Sequence, residues 1–124
     1  MRIALVVPGG VDRSGEYRVI PALLALISRL STHNDLQVFA LYQEPQPAQW
    51  DLAGARIHNI GRGRTLLRTV RTLRTVHRSM AFDVIHAIWS GWGGLAAAAT
   101  GRMLGVSRDG TGAGLAGTSL RLTR

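Results

Sequence analysis

Residues Ile3 to Val7, Ile-Ala-Leu-Val-Val, run straight into Pro8-Gly9-Gly10, and this stretch limits what the chain can fold into more than any other. The run has no polar face and is rich in β-branched residues, the pattern of a central parallel strand covered on both sides. Pro8 ends the ladder because it has no N–H to donate. Gly9, Gly10 and Gly15 allow positive φ and the close approach of a ligand or another segment. The pattern predicts that a helix opens near Gly15 to Tyr17. In an open α/β sheet the loop leaving the carboxyl end of such a strand borders the ligand crevice, and a helix start offers N–H groups to an anion. The first βα turn is therefore the leading site expected from the residues.

Further along, Arg18 to Ser31 places apolar side chains at 20, 23, 24, 27 and 30, the spacing of an amphipathic helix. Pro21 suits the first turn of such a helix. His33-Asn34-Asp35 breaks the pattern, and Leu36 to Tyr42 reads as a second buried strand. Gln43 to Asp51, with its prolines and glutamines, reads as a loop on the same side as the first glycine turn. Ala55 to Ile60 reads as a short strand closed by Gly61-Arg62-Gly63. Arg64 to Met80 predicts a helix with Arg64, Arg68, Arg71 and Arg78 on one face, Arg74 beside them, and Leu66, Val70, Leu73, His77 and Met80 opposite. Phe82 to Ile88 is the fourth predicted strand, followed by the turn Trp89-Ser-Gly-Trp-Gly-Gly94. Leu95 to Leu104 is an alanine-rich helix capped by Gly105. The order β-α-β-β-α-β-α predicts an α/β fold with a Rossmann-like parallel sheet over residues 1–106. Residues 107–124 are glycine-rich, lack a β-branched run, and are expected to be a tail without regular structure.

A chain of 124 residues makes one domain and buries roughly two-thirds of its unfolded surface. The absence of cysteine excludes disulfides, thiolate metal sites and cysteine nucleophiles. No apolar run reaches the roughly 18 residues that span a bilayer, and the amino terminus does not read as a signal peptide. The expected location is the cytoplasm, with peripheral contact at the inner face of a membrane. All fifteen basic residues are arginine, the signature of a GC-rich coding bias, and the formal charge is +8. That excess favours anionic partners.

Arg2 to Gly10 with Gly15, together with Phe82-Asp-Val-Ile-His-Ala-Ile-Trp89, resemble the amino-terminal domain of the GT-B retaining glycosyltransferases of the group 1, or family 4, type. These enzymes move a sugar from a nucleotide-sugar donor to an acceptor. The resemblance implies one incomplete half of a GT-B fold, a domain on the acceptor side of the cleft that is inactive alone. It implies that Gly9, Gly10 and Gly15 approach the donor diphosphate, that the nucleotide-sugar is a substrate, and that no cofactor or metal is needed. Two features depart from the family. Ile88 stands where the family carries a second histidine in the fourth strand, and residues 107 onward do not match the strand that usually bears an active-site histidine. The donor-binding domain with its paired glutamates has no counterpart in these residues.

Among single residues, Trp89 and Trp92 flank Ser90-Gly91 at a strand's carboxyl end, where their faces could stack on a sugar or an acceptor; the alternative is that they shield the top of the sheet. Glu16 joins them as an acceptor-binding candidate, and with Asp12 is a carboxylate near the first turn able to act as a general base. His86 falls in a buried strand, where a histidine is most simply a hydrogen-bonded core residue. His33, His58 and His77 share no metal-ligand spacing. Arg64, Arg68, Arg71 and Arg78 form a face suited to anionic membrane, each arginine contributing about 1 kcal/mol near the surface, or else simply a solvated face. Two other functions compete with the transferase: a free-standing Rossmann-like phosphate- or nucleotide-binding module, which needs a competent sheet edge after residue 106, and an arginine-rich nucleic-acid-binding protein. The last lacks a companion recognition element and leaves the first strand and turn unexplained.

Overall fold

The computed structural model describes residues 1–88 and the backbone of residues 107–109 and 117–121. The chain runs β1 (Arg2–Val7), α1 (Pro21–His33), β2 (Asp35–Ala40), β3 (Ala48–Leu52), β4 (Ala55–Asn59), α2 (Thr65–Ser79), β5 (Val84–Ile88), β6 (Ser107–Asp109) and β7 (Gly117–Arg121). These strands form one sheet in the order β3-β4-β2-β1-β5-β7-β6. β4, β2, β1 and β5 are mutually parallel; β3 pairs antiparallel with β4 on one flank, and on the other β7 pairs antiparallel with β5 and β6 with β7. The fold is therefore α/β with a mostly parallel sheet, as the sequence predicts.

β1 lies at the centre because both of its faces are apolar. Leu5 and Val7 join Leu23 and Ile27 of α1, Leu36, Val38 and Ala40 of β2, and Ile57 of β4 in one core layer. Ala4 and Val6 join Phe39, Leu73 of α2, Phe82 and Ile85 in the other. The two helices thus cover opposite faces. From β1 the chain passes through α1 to β2 on one side, and after β4 it returns through α2 to β5 on the other. The strand order reverses between β1 and β5, and in such sheets the crevice outside the carboxyl ends at that point is where ligands sit.

Four differences from the sequence reading have local causes. α1 begins at Pro21, not near Gly15, with Ile20 as its N-cap residue and no side-chain cap. Residues 11–19 leave the sheet instead, in an excursion closed by a bridge between Val11 and Val19 and by the Ile20 N–H donating to the Gly10 carbonyl at 3.0 Å. Within it the Ser14 hydroxyl accepts from the N–H groups of Glu16 and Tyr17, so local turns consume the donors a helix start would present. Secondly, part of the stretch read as a loop over 43–51 is strand β3. It alternates Ala48, Trp50 and Leu52 toward the sheet's α1 layer and joins β4 through Ala53-Gly54, both left-handed, a two-residue hairpin turn. Thirdly, β5 starts at Val84, two residues later than expected, because the Phe82 N–H donates to His77 Nδ1 at 3.0 Å and Asp83 turns back to Arg2. Finally, the segment expected to lack regular structure holds β6 and β7, which pair antiparallel with each other and, through β7, with β5. An open strand edge with unpaired backbone groups recruits a glycine-rich segment that local propensity alone would leave irregular.

Candidate functional site

The carboxyl ends of β1, β2 and β4 are built by three loops that hold one another. Gln43, just after β2, accepts from the Val11 N–H at 2.9 Å through Oε1 and so fixes the loop after β1. Trp50 of β3 donates its indole N–H to the Val11 carbonyl at 3.1 Å from beneath. Asn59, the last residue of β4, staples the loop after β2: its Oδ1 accepts from the Glu44 N–H, and its Nδ2 donates to the Glu44 and Gln46 carbonyls. Gly61 has φ +88°, and a β-carbon there would stand 2.7 Å from the Pro45 carbonyl oxygen, so the turn into α2 packs directly on that loop's backbone.

Charges on this surface are largely paired. Asp12 is buried, accepts from the Ser14 N–H at 3.2 Å and from Arg18 Nη2 at 2.7 Å, and these contacts, Ser14 foremost, hold its carboxyl below the usual carboxylate range. It is committed to structure and is poorly placed to act as a base. Arg13 grips Glu44 with two hydrogen bonds, at 2.8 and 2.6 Å, while its guanidinium lies 4.8 Å over the Trp50 ring. Paired planar contacts of this kind are stronger than a single ammonium–carboxylate contact.

The glycines are separated. Gly9 and Gly10 sit at the end of β1, at the switch point. A β-carbon on Gly9 would meet only Gln43 Oε1, at 3.5 Å; on Gly10, with φ +82°, it would stand 2.8 Å from two carbons of Ile20. Gly15, φ +72°, lies away from them on the excursion, where a β-carbon would contact Leu52 of β3 at 3.4 Å. Glu16 is exposed on the same excursion. Trp89 and Trp92, the turn after β5, and the alanine-rich helix over 95–104 lie outside the described residues. His86 is half-buried on the α1 side of the sheet, and burial pushes its pKa down.

On α2, Arg64, Arg71 and Arg78 are exposed and Arg68 and Arg74 half-buried, while Met80, expected on the apolar side, lies just past the helix end and is exposed. Among the described residues, ion pairs join Arg2, Arg13, Arg18 and Arg56 to carboxylates, and none of these four lies on α2. Arg64 itself is the left-handed N-cap residue, φ 49°. Beside it a largely apolar cavity of about 390 Å³ opens between Tyr42, Leu66 and Leu67. No helix among the described residues is long and apolar enough to cross a membrane, and no group of three metal-ligating side chains occurs among them.

Sequence reasoning missed His58, weighed only for metal spacing, where it has none. It stacks on Phe39, centroids 4.7 Å apart and planes at 9°, and is 8% exposed. The signal that could have found it is a histidine at an alternating position of a short strand expected from the sequence. Compared with family models, with curated proteins and with solved structures, the chain gives no match.

Proposed function

We propose that this chain is the acceptor-side, Rossmann-like half of a GT-B glycosyltransferase that uses a nucleotide-sugar donor. The observation that carries the reading is the position of Gly9 and Gly10 at the carboxyl end of β1, where the strand order reverses and where Gly9 leaves room for a phosphate to come close to the backbone. The sequence resemblance of Arg2–Gly10 and Phe82–Trp89 supports it, and the apolar cavity by Tyr42, Leu66 and Leu67 suits an acceptor. Gly15 has no part in the donor approach on this reading, because it lies against Leu52. Transfer requires donor and acceptor to be held together in a closed cleft, so this half binds and orients while a second domain supplies the donor site.

Reading the coding DNA beyond the Gly105 codon in all frames is the first test, and a second α/β domain with paired glutamates is the expected result. In that complete enzyme Gly9→Ala is the clean probe, because the new β-carbon makes only ordinary contact, whereas Gly10→Ala would disturb Ile20. Gly9→Ala is expected to lower kcat/KM for the donor about tenfold or more with an unchanged unfolding midpoint. Unchanged turnover would sink the donor-approach role.

The arginine face of α2 we assign to an anionic membrane surface. The exposed Arg64, Arg71 and Arg78, on a helix with no carboxylate, supply the charge. The chain is expected to co-sediment at low salt with vesicles containing phosphatidylglycerol, to release as salt rises, and to stay in solution with neutral vesicles. Equal binding to neutral vesicles, or none to anionic ones, contradicts the assignment.

A second reading, the free-standing phosphate- or nucleotide-binding module, gains from one observation. β7 covers the edge of β5 that such a module has to close. No downstream frame that continues the fold would leave this as the reading to pursue.

A further inference from the structure

A second cavity, of about 290 Å³, lies under the amino-terminal half of α2 at the flank of the sheet. It is lined by His58, Asn59 and Ile60 at the end of β4, Gln49 of β3, and Arg68 and Thr72 of α2. Its chemistry is fixed from two sides.

On one side is the imidazole of His58. Its Nε2 stands 2.8 Å from Gln37 Oε1, and Gln37 in turn donates its amide N–H to Asp35 Oδ1 at 2.9 Å. A carboxylate only accepts, so the amide nitrogen of Gln37 must face Asp35 and its oxygen must face His58. His58 Nε2 therefore carries the proton, and Arg2, paired with Asp35, anchors the far end of the chain. Nδ1 is left as a bare lone pair to which no described residue donates. Burial, and then the charges of Arg56 and Arg2, push the His58 pKa down to about 4, so the ring stays neutral and the lone pair available near neutral pH.

On the other side is Arg68. Its Nη1 donates to the carbonyls of Arg62 at 2.8 Å and Gly63 at 3.4 Å, which fixes the guanidinium plane and leaves Nε and Nη2 without a partner among the described residues. No carboxylate lines the cavity. The site thus joins a held cation to a held neutral acceptor, and a ligand that satisfies both carries an anionic group and a hydroxyl. Ligand cavities begin at roughly 300 Å³, so the occupant is small.

We propose that this cavity binds a small hydroxylated anion of the sugar-phosphate class, with Arg68 holding the phosphate and a ligand hydroxyl donating to His58 Nδ1. The site is separate from the switch point at Gly9 and Gly10, and its occupancy does not depend on transferase activity.

The test uses the full chain labelled with ¹⁵N and reads the histidine ring nitrogens by NMR, with glucose 6-phosphate, glucose and inorganic phosphate as probes. In the free protein His58 is expected to show a protonated Nε2 and a bare Nδ1. Glucose 6-phosphate is expected to shift the Nδ1 signal saturably, and glucose or inorganic phosphate alone to bind about tenfold more weakly or worse. Arg68→Gln should weaken glucose 6-phosphate binding by a similar factor while the His58 pattern stays intact, which shows that the fold survives. A protonated Nδ1 in the free protein, no saturable shift with glucose 6-phosphate, inorganic phosphate binding as well as glucose 6-phosphate, or full affinity in Arg68→Gln would each overturn the proposal.

Discussion

Acidifying the protein from pH 7 to pH 4 is expected to remove about 3 kcal/mol of folding stability through His58 alone. The folded state lowers this histidine from its ordinary 6.5 to about 4, so between those values the unfolded chain binds a proton that the folded chain refuses. Stability is fully present above pH 6.5, falls as the pH drops through the window, and loses nothing more from this group below about 4. Burial is the main cause, with Arg56 and Arg2 adding repulsion toward an imidazolium. His86, lowered by burial, acts in the same direction. Asp12 acts later, below the ordinary carboxylate range, because its folded form holds its charge through Ser14 and Arg18. Urea unfolding at several pH values checks this. His58→Phe, which keeps a ring to stack on Phe39, should flatten most of the slope between pH 6.5 and 4. A slope unchanged in that variant would show that the acid sensitivity lies elsewhere.

Phe82→Ala is expected to cost about 3–5 kcal/mol and so to unfold a large share of a marginally stable domain. Phe82 is fully buried, meets Phe39 edge to face with centroids 6.0 Å apart at 88°, and carries the Arg2 guanidinium 5.1 Å above its ring. Removing the ring opens a cavity in the α2 layer and takes away the surface on which Arg2 rests. Arg2 also donates to the Met80 carbonyl and pairs with Asp35, so the loss reaches the joint between α2 and β5 and the start of β2. Tyr17→Ala, at a side chain 73% exposed, is the control and should stay within about 0.5 kcal/mol. Denaturant midpoints of the two variants decide it, and a cost for Phe82→Ala near that of Tyr17→Ala would contradict the packing.

The parallel centre was legible in the sequence because its strands are apolar on both faces, and nothing else a short apolar run such as Ile3–Val7 can do buries both. α2 was legible from its arginine and apolar faces. What escaped shares one cause: pairing that is not local. Ala48-Gln-Trp-Asp-Leu52 is too short and too polar to announce a strand, and it becomes one because β4 offers a partner and Ala53-Gly54 the turn. The start of α1 was misplaced because Gly15 looked like a helix opening, while Pro21, already noted as suited to a first turn, was the better marker. β7 has no β-branched run, and only the edge of β5 gives it a place. The site divides the same way. Gly9 and Gly10 follow from strand-then-turn spacing, but the tautomer of His58 depends on Gln37, Asp35 and Arg2, which come from two other strands.

The central strand also sets a timetable for synthesis. β1 pairs on one side with β2, but its other neighbour is β5, with Ile3 opposite Val84. At roughly 5–20 residues per second on the ribosome, the strand made first waits about 4–16 s for the segment that covers its second edge. Through that interval an apolar strand with unpaired backbone groups stands open to its neighbours. Contacts of such long sequence separation also form slowly, since the loop must close before they repay it. Yield in a cell should therefore depend on translation speed and on chaperones that shield a nascent edge, more than on the stability of the finished sheet.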